Sequence, residues 1–221
     1  MAEILFGQDD RNGHAERMDR MYRYQRHVYD LTRKYYLLGR DRLIAELAVP
    51  ENGSLLEVGC GTGRNLLLAA RRYSGARLYG LDISAEMLAQ AERNFRGRPL
   101  PVFRLADATG FSAEEFGIAG FDRIMISYAL SMIPDWESAI DAAIAALAPG
   151  GSLHIVDFGQ QERLPAWFRR LLRAWLSRFH VSPRATLREA LETRATAAGA
   201  DLRFETVGRG YAWIAVVRMP G

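Results

Sequence analysis

Residues 54–63 read Ser-Leu-Leu-Glu-Val-Gly-Cys-Gly-Thr-Gly, and this stretch decides the fold. A short apolar run that ends in glycine is typical of a buried strand, and the residues from Arg64 onward predict a helix. Gly59, Gly61 and Gly63 stand at alternate positions, so the backbone can turn sharply and come close to a ligand there. Tight strand-to-helix turns also use glycine for purely structural reasons, so the glycines alone do not decide function.

The same strand–helix alternation continues along the chain. Strands are predicted in RLYGLDIS (77–84), PVFRLADAT (101–109), FDRIMISYAL (121–130) and APGGSLHIVDFG (148–159), with helices over 85–95 and 136–147. Helices also follow over 165–179 and 185–198, and two closing strands form a hairpin. Parallel strands need long crossovers, so this order predicts an α/β, doubly wound, seven-stranded mixed sheet. Ligands bind such sheets beyond the carboxyl ends of the strands.

Composition bounds the class of protein. The 221 residues are 49% hydrophobic and 25% charged, which is ordinary for a globular chain. We expect residues 1–50 to form an N-terminal helical lid, and residues 51–221 to form the core, with a cap insertion at about 160–198. No apolar run suits a membrane span, and the N-terminus does not resemble a signal peptide, so we expect a cytoplasmic protein. The single cysteine, Cys60, excludes an internal disulfide, and no metal site is expected.

Two carboxylates follow the next two strands. Asp82 ends the second strand 19 residues after Gly63, where an acid can accept hydrogen bonds from both ribose hydroxyls of a nucleoside. Asp107 ends the third, where it can accept from an adenine amino group while the Ala108 amide donates to a ring nitrogen. Either acid alone could be a helix cap or a turn residue. Their placement at successive strand ends favours a nucleoside site.

This set of motifs resembles the class I S-adenosylmethionine-dependent methyltransferases over the whole chain. LEVGCGTGRN (56–65), GLDIS (80–84), LADAT (105–109), FDRIMISYAL (121–130) and LAPGGSLHIVD (147–157) correspond to their five core motifs. The resemblance implies S-adenosylmethionine as cofactor, S-adenosylhomocysteine as product, and no metal. The residues that it assigns to the cofactor are Glu57, Gly59, Gly61, Thr62, Gly63, Asn65, Asp82, Ile83, Met87, Ala106, Asp107, Ala108 and Ser127.

Within that set, the resemblance implies that the three glycines contact the methionine part, Asp82 the ribose, and Asp107 with Ala108 the adenine. Ile83 and Met87 would flank the base, and the backbone near Ser127 would hold the methionine amino group. A nicotinamide or flavin enzyme is the competing interpretation. Its G-x-G-x-x-G fingerprint is not matched here, because Arg64 stands where the last glycine would fall.

The acceptor is indicated by the N-terminal segment HVYDLTRKYYLLGRDRLI (27–44). It resembles the N-methyltransferase of betaine-lipid synthesis, which converts diacylglyceryl-homoserine to diacylglyceryl-trimethylhomoserine by three methyl transfers. Tyr24 and Tyr36 are candidate substrate-binding rings that could surround a cation, and Arg40 is the candidate partner of the substrate carboxylate. The Tyr29–Asp30 pair also occurs in quinone-ring methyltransferases. Methylation of a quinone, of phosphatidylethanolamine or of another small molecule therefore remains open, as does binding without catalysis.

We expect no nucleic-acid partner. The position after the fourth strand reads Ser127-Tyr128-Ala129-Leu130, which lacks the Pro-Pro-aromatic motif of DNA amino methylation. The net charge is only +3, and no nucleic-acid module is recognisable.

A basic, aromatic helix after the fifth strand agrees with a lipid. Eight arginines but only Glu189 and Glu192 lie between Arg163 and Arg194, so the surface there attracts anions. Apolar residues from Leu164 to Phe179 fall on one helical face, as in helices that lie in a membrane interface. A helix that only caps the domain has the same pattern. We therefore expect either a cap or peripheral attachment to the inner face of an anionic membrane.

Three residues are candidates for accepting the proton of the acceptor, namely Tyr128, Tyr29 and Asp157. Asp157 ends the fifth strand and should face the site. A strong base is not required, because an α-amino group with a pKa of about 8 is partly neutral near pH 7. His154 lies mid-strand, which is more typical of a buried structural histidine.

Overall fold

The computed structural model describes residues 37–179 and 181–221. Within them the helices are α1 (Arg40–Glu46), α2 (Arg64–Arg72), α3 (Ala85–Asn94), α4 (Trp136–Ala145), α5 (Ala166–Ser177) and α6 (Leu187–Ala197). The strands are β1 (Ser54–Val58), β2 (Arg77–Asp82), β3 (Val102–Leu105), β4 (Phe121–Ser127), β5 (Leu147–Phe158), β6 (Asp201–Val207) and β7 (Ala212–Arg218). A short 3₁₀ turn, Glu114–Phe116, precedes β4.

The seven strands form one sheet in the order β3-β2-β1-β4-β5-β7-β6. The pairs from β3 through β5 are parallel, whereas β7 pairs antiparallel with both β5 and β6. This is the α/β, doubly wound mixed sheet expected from the sequence. The strand order reverses between β1 and β4, so the carboxyl ends of these strands border the crevice in which such sheets bind ligands.

Each face of the sheet has its own apolar core. On one face α4 and α6 pack with Leu153, Ile155 and Val217. On the other, α1 and α5 pack with Met125, Val156 and Ile214. Alternate residues of β5 thus enter opposite cores, as the period of two in a strand requires. The strand is therefore buried on both sides and fixes the positions of the helices around it.

The first helix within the described residues begins at Arg40, directly after Gly39, which adopts a left-handed conformation with φ 84°. One predicted strand boundary was wrong in detail. Strand β3 ends at Leu105, so Asp107 lies two residues beyond it. There the Thr109 amide donates to the Asp107 carboxylate, and this local turn ends the extended backbone.

The predicted cap insertion contains two different structures. Helix α6 packs in the same core as α4, through Leu187 and Leu191, and serves as a crossover helix of the sheet. Helix α5 lies on the opposite face and buries Leu172 and Leu176. None of the described helices is both long and apolar enough for a membrane crossing.

Candidate active site

The glycine turn between β1 and α2 is held in a conformation that only glycine adopts easily. Gly59 and Gly63 have φ values of 68° and 71°. A Cβ at Gly59 would stand 2.8 Å from the Cβ of Ala129, and one at Gly63 would stand 3.1 Å from that of Ala91. These two glycines therefore permit close approach of neighbouring protein elements, as well as the turn itself.

Asp82 lies against this turn. One carboxylate oxygen accepts from the Gly61 amide at 2.7 Å, and the other accepts from the Ser84 amide at 3.0 Å. These two hydrogen bonds hold the carboxylate at the glycine turn. Ser84, rather than Asp82, is the residue that caps α3, since its hydroxyl accepts from the Met87 amide.

The end of β3 is tied to the same place. The Ala106 amide donates to the Asp82 carbonyl, so the segment that carries Asp107 follows directly beside β2. Asp107 accepts from both the amide and the hydroxyl of Thr109 at 2.9 Å, and it is partly exposed. Ala108 is buried in the core on the α4 side of the sheet. The two carboxylates predicted from the sequence thus follow neighbouring parallel strands.

The remaining cofactor candidates surround the turn. Glu57 is buried and accepts from the Asn65 side chain at 2.7 Å, which joins the last residues of β1 to the first turn of α2. The Thr62 carbonyl accepts from Asn94 of α3. Met87 is buried and Ile83 is half-buried beside Asp82. Ser127 ends β4 with its hydroxyl buried and without a hydrogen-bond partner among the described residues.

Cys60 lies inside the turn but is not a nucleophile. Burial, together with the charges of Asp82 and Glu57, raises the pKa of its thiol well above the usual value. The side chain packs in a small apolar cluster with Leu66 and Phe95. It therefore serves as a small apolar residue of the turn.

Tyr128 follows Ser127 in a strained backbone conformation, with φ 56°. Its hydroxyl donates to the Leu38 carbonyl at 2.6 Å, and its ring stands edge-on to Phe158 at 4.7 Å. Burial, reinforced by Tyr211 and Asp157, raises the pKa of Tyr128 well above its usual value. The geometry thus gives this phenol a positioning contact, in which it is a donor rather than a proton acceptor.

Asp157, at the end of β5, is buried among the described residues. Its two oxygens accept from the Ser131 amide at 3.0 Å and the Phe158 amide at 2.7 Å. Burial raises the pKa of this carboxyl. The side chain therefore fixes the loop after β4 against the end of β5.

Arg184 completes this arrangement and was missed in the sequence. Its guanidinium donates to the carbonyls of Leu130 at 3.0 Å and Ile133 at 2.6 Å, and the Ser182 amide donates to the Ser131 carbonyl. No local pattern indicates this role, because the partners are more than fifty positions apart. The basic character of the segment was the only available signal.

Arg40 is buried, and two of its nitrogens contact one oxygen of Asp41, at 2.9 and 2.7 Å. Its charge lies close enough to Tyr128 to lower the pKa of that phenol slightly against the effect of burial. Leu38, whose carbonyl accepts from Tyr128, lies two residues before Arg40. Tyr24, Tyr29 and Tyr36 lie outside the described residues.

These residues fit the donors and acceptors of S-adenosylmethionine. A carboxylate follows β2 for the ribose, a second follows β3 for the adenine, and a buried serine hydroxyl at the end of β4 lacks a protein partner among the described residues. In the same part of the chain, no group of three or more histidine, cysteine, aspartate or glutamate side chains could hold a metal ion.

The known proteins that resemble this chain include several methyltransferases. Residues 55–151 match the family described as "Methyltransferase domain". The demethylmenaquinone methyltransferase of Thermus thermophilus is 29% identical over 215 residues, covering 87% of this chain and 96% of that protein. The trans-aconitate 2-methyltransferase of Variovorax paradoxus is 35% identical over 113 residues, which cover 51% of this chain and 41% of that protein.

The fold is shared with solved structures. The DhpI–SAM–HEP complex superposes with a TM-score of 0.61 at 24% identity, over 90% of this chain and 94% of that one. The matched family covers β1 to the start of β5, which is the part that carries the glycine turn, Asp82 and Asp107. Residues 55–151 are therefore a methyltransferase domain, and the sheet around them has the class I fold of S-adenosylmethionine-dependent methyltransferases.

Proposed function

We propose that this enzyme methylates the homoserine amino group of diacylglyceryl-homoserine three times and so forms diacylglyceryl-trimethylhomoserine. S-adenosylmethionine supplies a methyl group that is already activated by its sulfonium. The protein must hold donor and acceptor in line and exclude water. The glycine turn, Asp82 and Asp107 hold the donor in this proposal, and residues near Tyr128 receive the acceptor.

The observation that carries the proposal is the contact between Leu38 and Tyr128. Leu38 belongs to the segment 27–44, whose amino-acid sequence resembles that of the betaine-lipid N-methyltransferase. Its carbonyl accepts from Tyr128 at the carboxyl end of β4, and a Cβ on Gly39 would touch Val156 and Ile214. The described end of that segment thus packs beside the predicted methyl-transfer site. In this proposal the neighbouring Arg40 binds the carboxylate of the homoserine headgroup.

The hydrogen bonds of Tyr128 and Asp157 to backbone groups favour an amine over a ring carbon as the methyl acceptor. An amine with a pKa of about 8 is neutral in about a tenth of molecules at pH 7 and then needs no base to attack. A quinol ring must give up a proton during methylation, so it benefits from a general base. Of the three candidate bases, the two within the described residues are buried and hydrogen-bonded to backbone groups.

Quinone-type methylation is the second candidate. It is favoured by the alignment with demethylmenaquinone methyltransferase, which spans nearly the whole of both chains. Tyr29 and Asp30, common to quinone-ring enzymes, would supply the base in that case.

Transfer of labelled methyl groups tests the proposal. The purified enzyme and labelled S-adenosylmethionine are incubated with vesicles that contain diacylglyceryl-homoserine, phosphatidylethanolamine or demethylmenaquinone. We expect label in the homoserine lipid, with mono-, di- and trimethyl products appearing in succession by mass spectrometry. Label confined to demethylmenaquinone or to phosphatidylethanolamine would overturn the proposal and identify the acceptor instead.

A further inference from the structure

Helix α5 has one face buried beside the proposed acceptor site. Leu172 and Leu176 are buried in the apolar cluster that also contains Tyr128, Phe158 and Tyr211. Arg173 joins α5 to the residues that follow β5, since it donates to the Gln160 carbonyl and to the Gln161 side chain. The helix is thus firmly attached to the domain through this inner face.

The outer face of the same helix is apolar as well. Trp167 and Leu171 lie one turn apart, and they are 69% and 62% exposed. Ala174 continues the stripe by a further turn and is also exposed. Tryptophan with leucine on an exposed helix face is typical of helices whose apolar side enters the boundary between lipid headgroups and acyl chains.

The charges around this stripe have a single sign. Arg163, Arg170 and Arg178 are exposed, and no aspartate or glutamate occurs in the sequence between Arg163 and Arg188. Arginines near an anionic membrane each strengthen binding by about fivefold. An acidic protein partner would satisfy the charges, but a bilayer also accommodates the indole and leucine side chains between them.

We propose that α5 lies flat on an anionic lipid bilayer, with Trp167 and Leu171 inserted and the flanking arginines on lipid phosphates. A helix is about 10–12 Å across with its side chains, so the cluster around Tyr128 lies about that far from the bilayer. A lipid headgroup can therefore reach the acceptor site without leaving the membrane. This inference rests on the proposed function only in the lipid nature of the acceptor.

Vesicle co-sedimentation of the full chain tests the docking surface. The wild type should sediment with vesicles of phosphatidylcholine and phosphatidylglycerol, sediment poorly with phosphatidylcholine alone, and be released by high salt because salt screens the attraction. The variant Trp167→Ser/Leu171→Ser should bind at least tenfold more weakly. Leu100→Ser/Val102→Ser is the matched control, since those side chains are 59% and 42% exposed at the far edge of the sheet.

The outcomes separate docking from catalysis. Wild type that remains in the supernatant with anionic vesicles, or a control that loses as much binding as the α5 variant, overturns the docking proposal. Salt-resistant capture by an acidic protein in place of vesicles overturns it too. A short-chain acceptor dispersed without vesicles should be methylated equally by wild type and the α5 variant. Vesicle binding without methylation of any homoserine lipid leaves docking standing and refutes the proposed function.

Discussion

The two halves of the sheet hold their polar groups in different ways. In the cofactor half, residues 54–127, the polar contacts of the glycine turn stay within one βαβ unit, as Asp82 contacts the amides of Gly61 and Ser84. In the acceptor half, residues 37–46 and 128–218, several contacts join remote segments. The Tyr128 hydroxyl reaches Leu38 across 90 positions, and Arg184 reaches Leu130 across 54. The contacts of the glycine turn form within a short stretch of sequence. Those of the acceptor half form only when distant segments of the chain fold together.

The largest expected effect is on the cofactor half. Asp82→Ala removes the carboxylate that holds the glycine turn and is expected to bind the ribose. Hydrogen bonds to a charged group contribute about 1.5–3 kcal/mol, so the Kd for S-adenosylmethionine should rise about 10- to 100-fold in calorimetry. Asp201→Ala, an exposed acid at the start of β6, is the control and should leave the Kd within about twofold of wild type.

Asp82 also binds two backbone amides, so the melting temperature of each variant must be measured alongside the Kd. A folded Asp82→Ala protein that binds the cofactor as tightly as wild type would show that this carboxylate has no role in cofactor binding. The difference drawn between the two halves would then not concern function.

The local character of the cofactor half explains why it was predictable. The spacing from Gly63 to Asp82 indicated a strand–turn–helix–strand unit, and the structure has that unit with the carboxylate on the Gly61 amide. The sheet class followed from the alternation of apolar runs and helices. Both signals lie within about thirty residues, which is the span of one βαβ unit.

The acceptor half was less predictable for the opposite reason. Asp157 was expected at the site because it ends β5, but the sequence does not reveal that the Ser131 amide comes to meet it. The contacts of Arg184 and Leu38 could not be predicted, because a backbone carbonyl as partner leaves no trace in residue identity. Side chains that serve distant backbone are therefore the part of the site that a single sequence does not specify.

A second, smaller effect concerns a buried histidine in the acceptor half. The Nε2 atom of His154 contacts the Ser152 hydroxyl at 2.9 Å, whereas Nδ1 has no partner among the described residues. Burial, with the positive charges of Arg123, Arg203 and Arg218, lowers the pKa of His154 to about 3. The folded state therefore holds this ring neutral, while the unfolded chain takes up a proton near pH 6.5.

The consequence is a loss of stability in acid. The contribution of His154 is complete above pH 6.5 and declines as the pH falls toward 3, reaching a loss of about 2 kcal/mol at pH 5. In urea unfolding, His154→Leu should lack that part of the decline between pH 7 and pH 5. A change in packing would alter the free energy of unfolding equally at pH 7 and at pH 5. The difference between the two values therefore reports only the uptake of the proton. Equal declines in wild type and variant would show that the ring titrates normally when folded.

The smallest expected effect distinguishes positioning from proton transfer at Tyr128. Tyr128→Phe keeps the ring against Phe158 but removes the donor to the Leu38 carbonyl, which contributes about 1 kcal/mol. The kcat/KM for the lipid acceptor should fall about fivefold, while the Kd for S-adenosylmethionine changes by less than about twofold. Tyr79→Phe, a buried tyrosine of β2 stacked edge-on with Phe116 and Phe121, is the matched control in the cofactor half. A general base would instead contribute about 100-fold or more and shape the pH profile of kcat/KM. If Tyr128→Phe lost the rising limb of that profile, the phenol would act in proton transfer. An unchanged profile with a higher KM for the acceptor would instead show that Tyr128 positions the segment that contains Leu38.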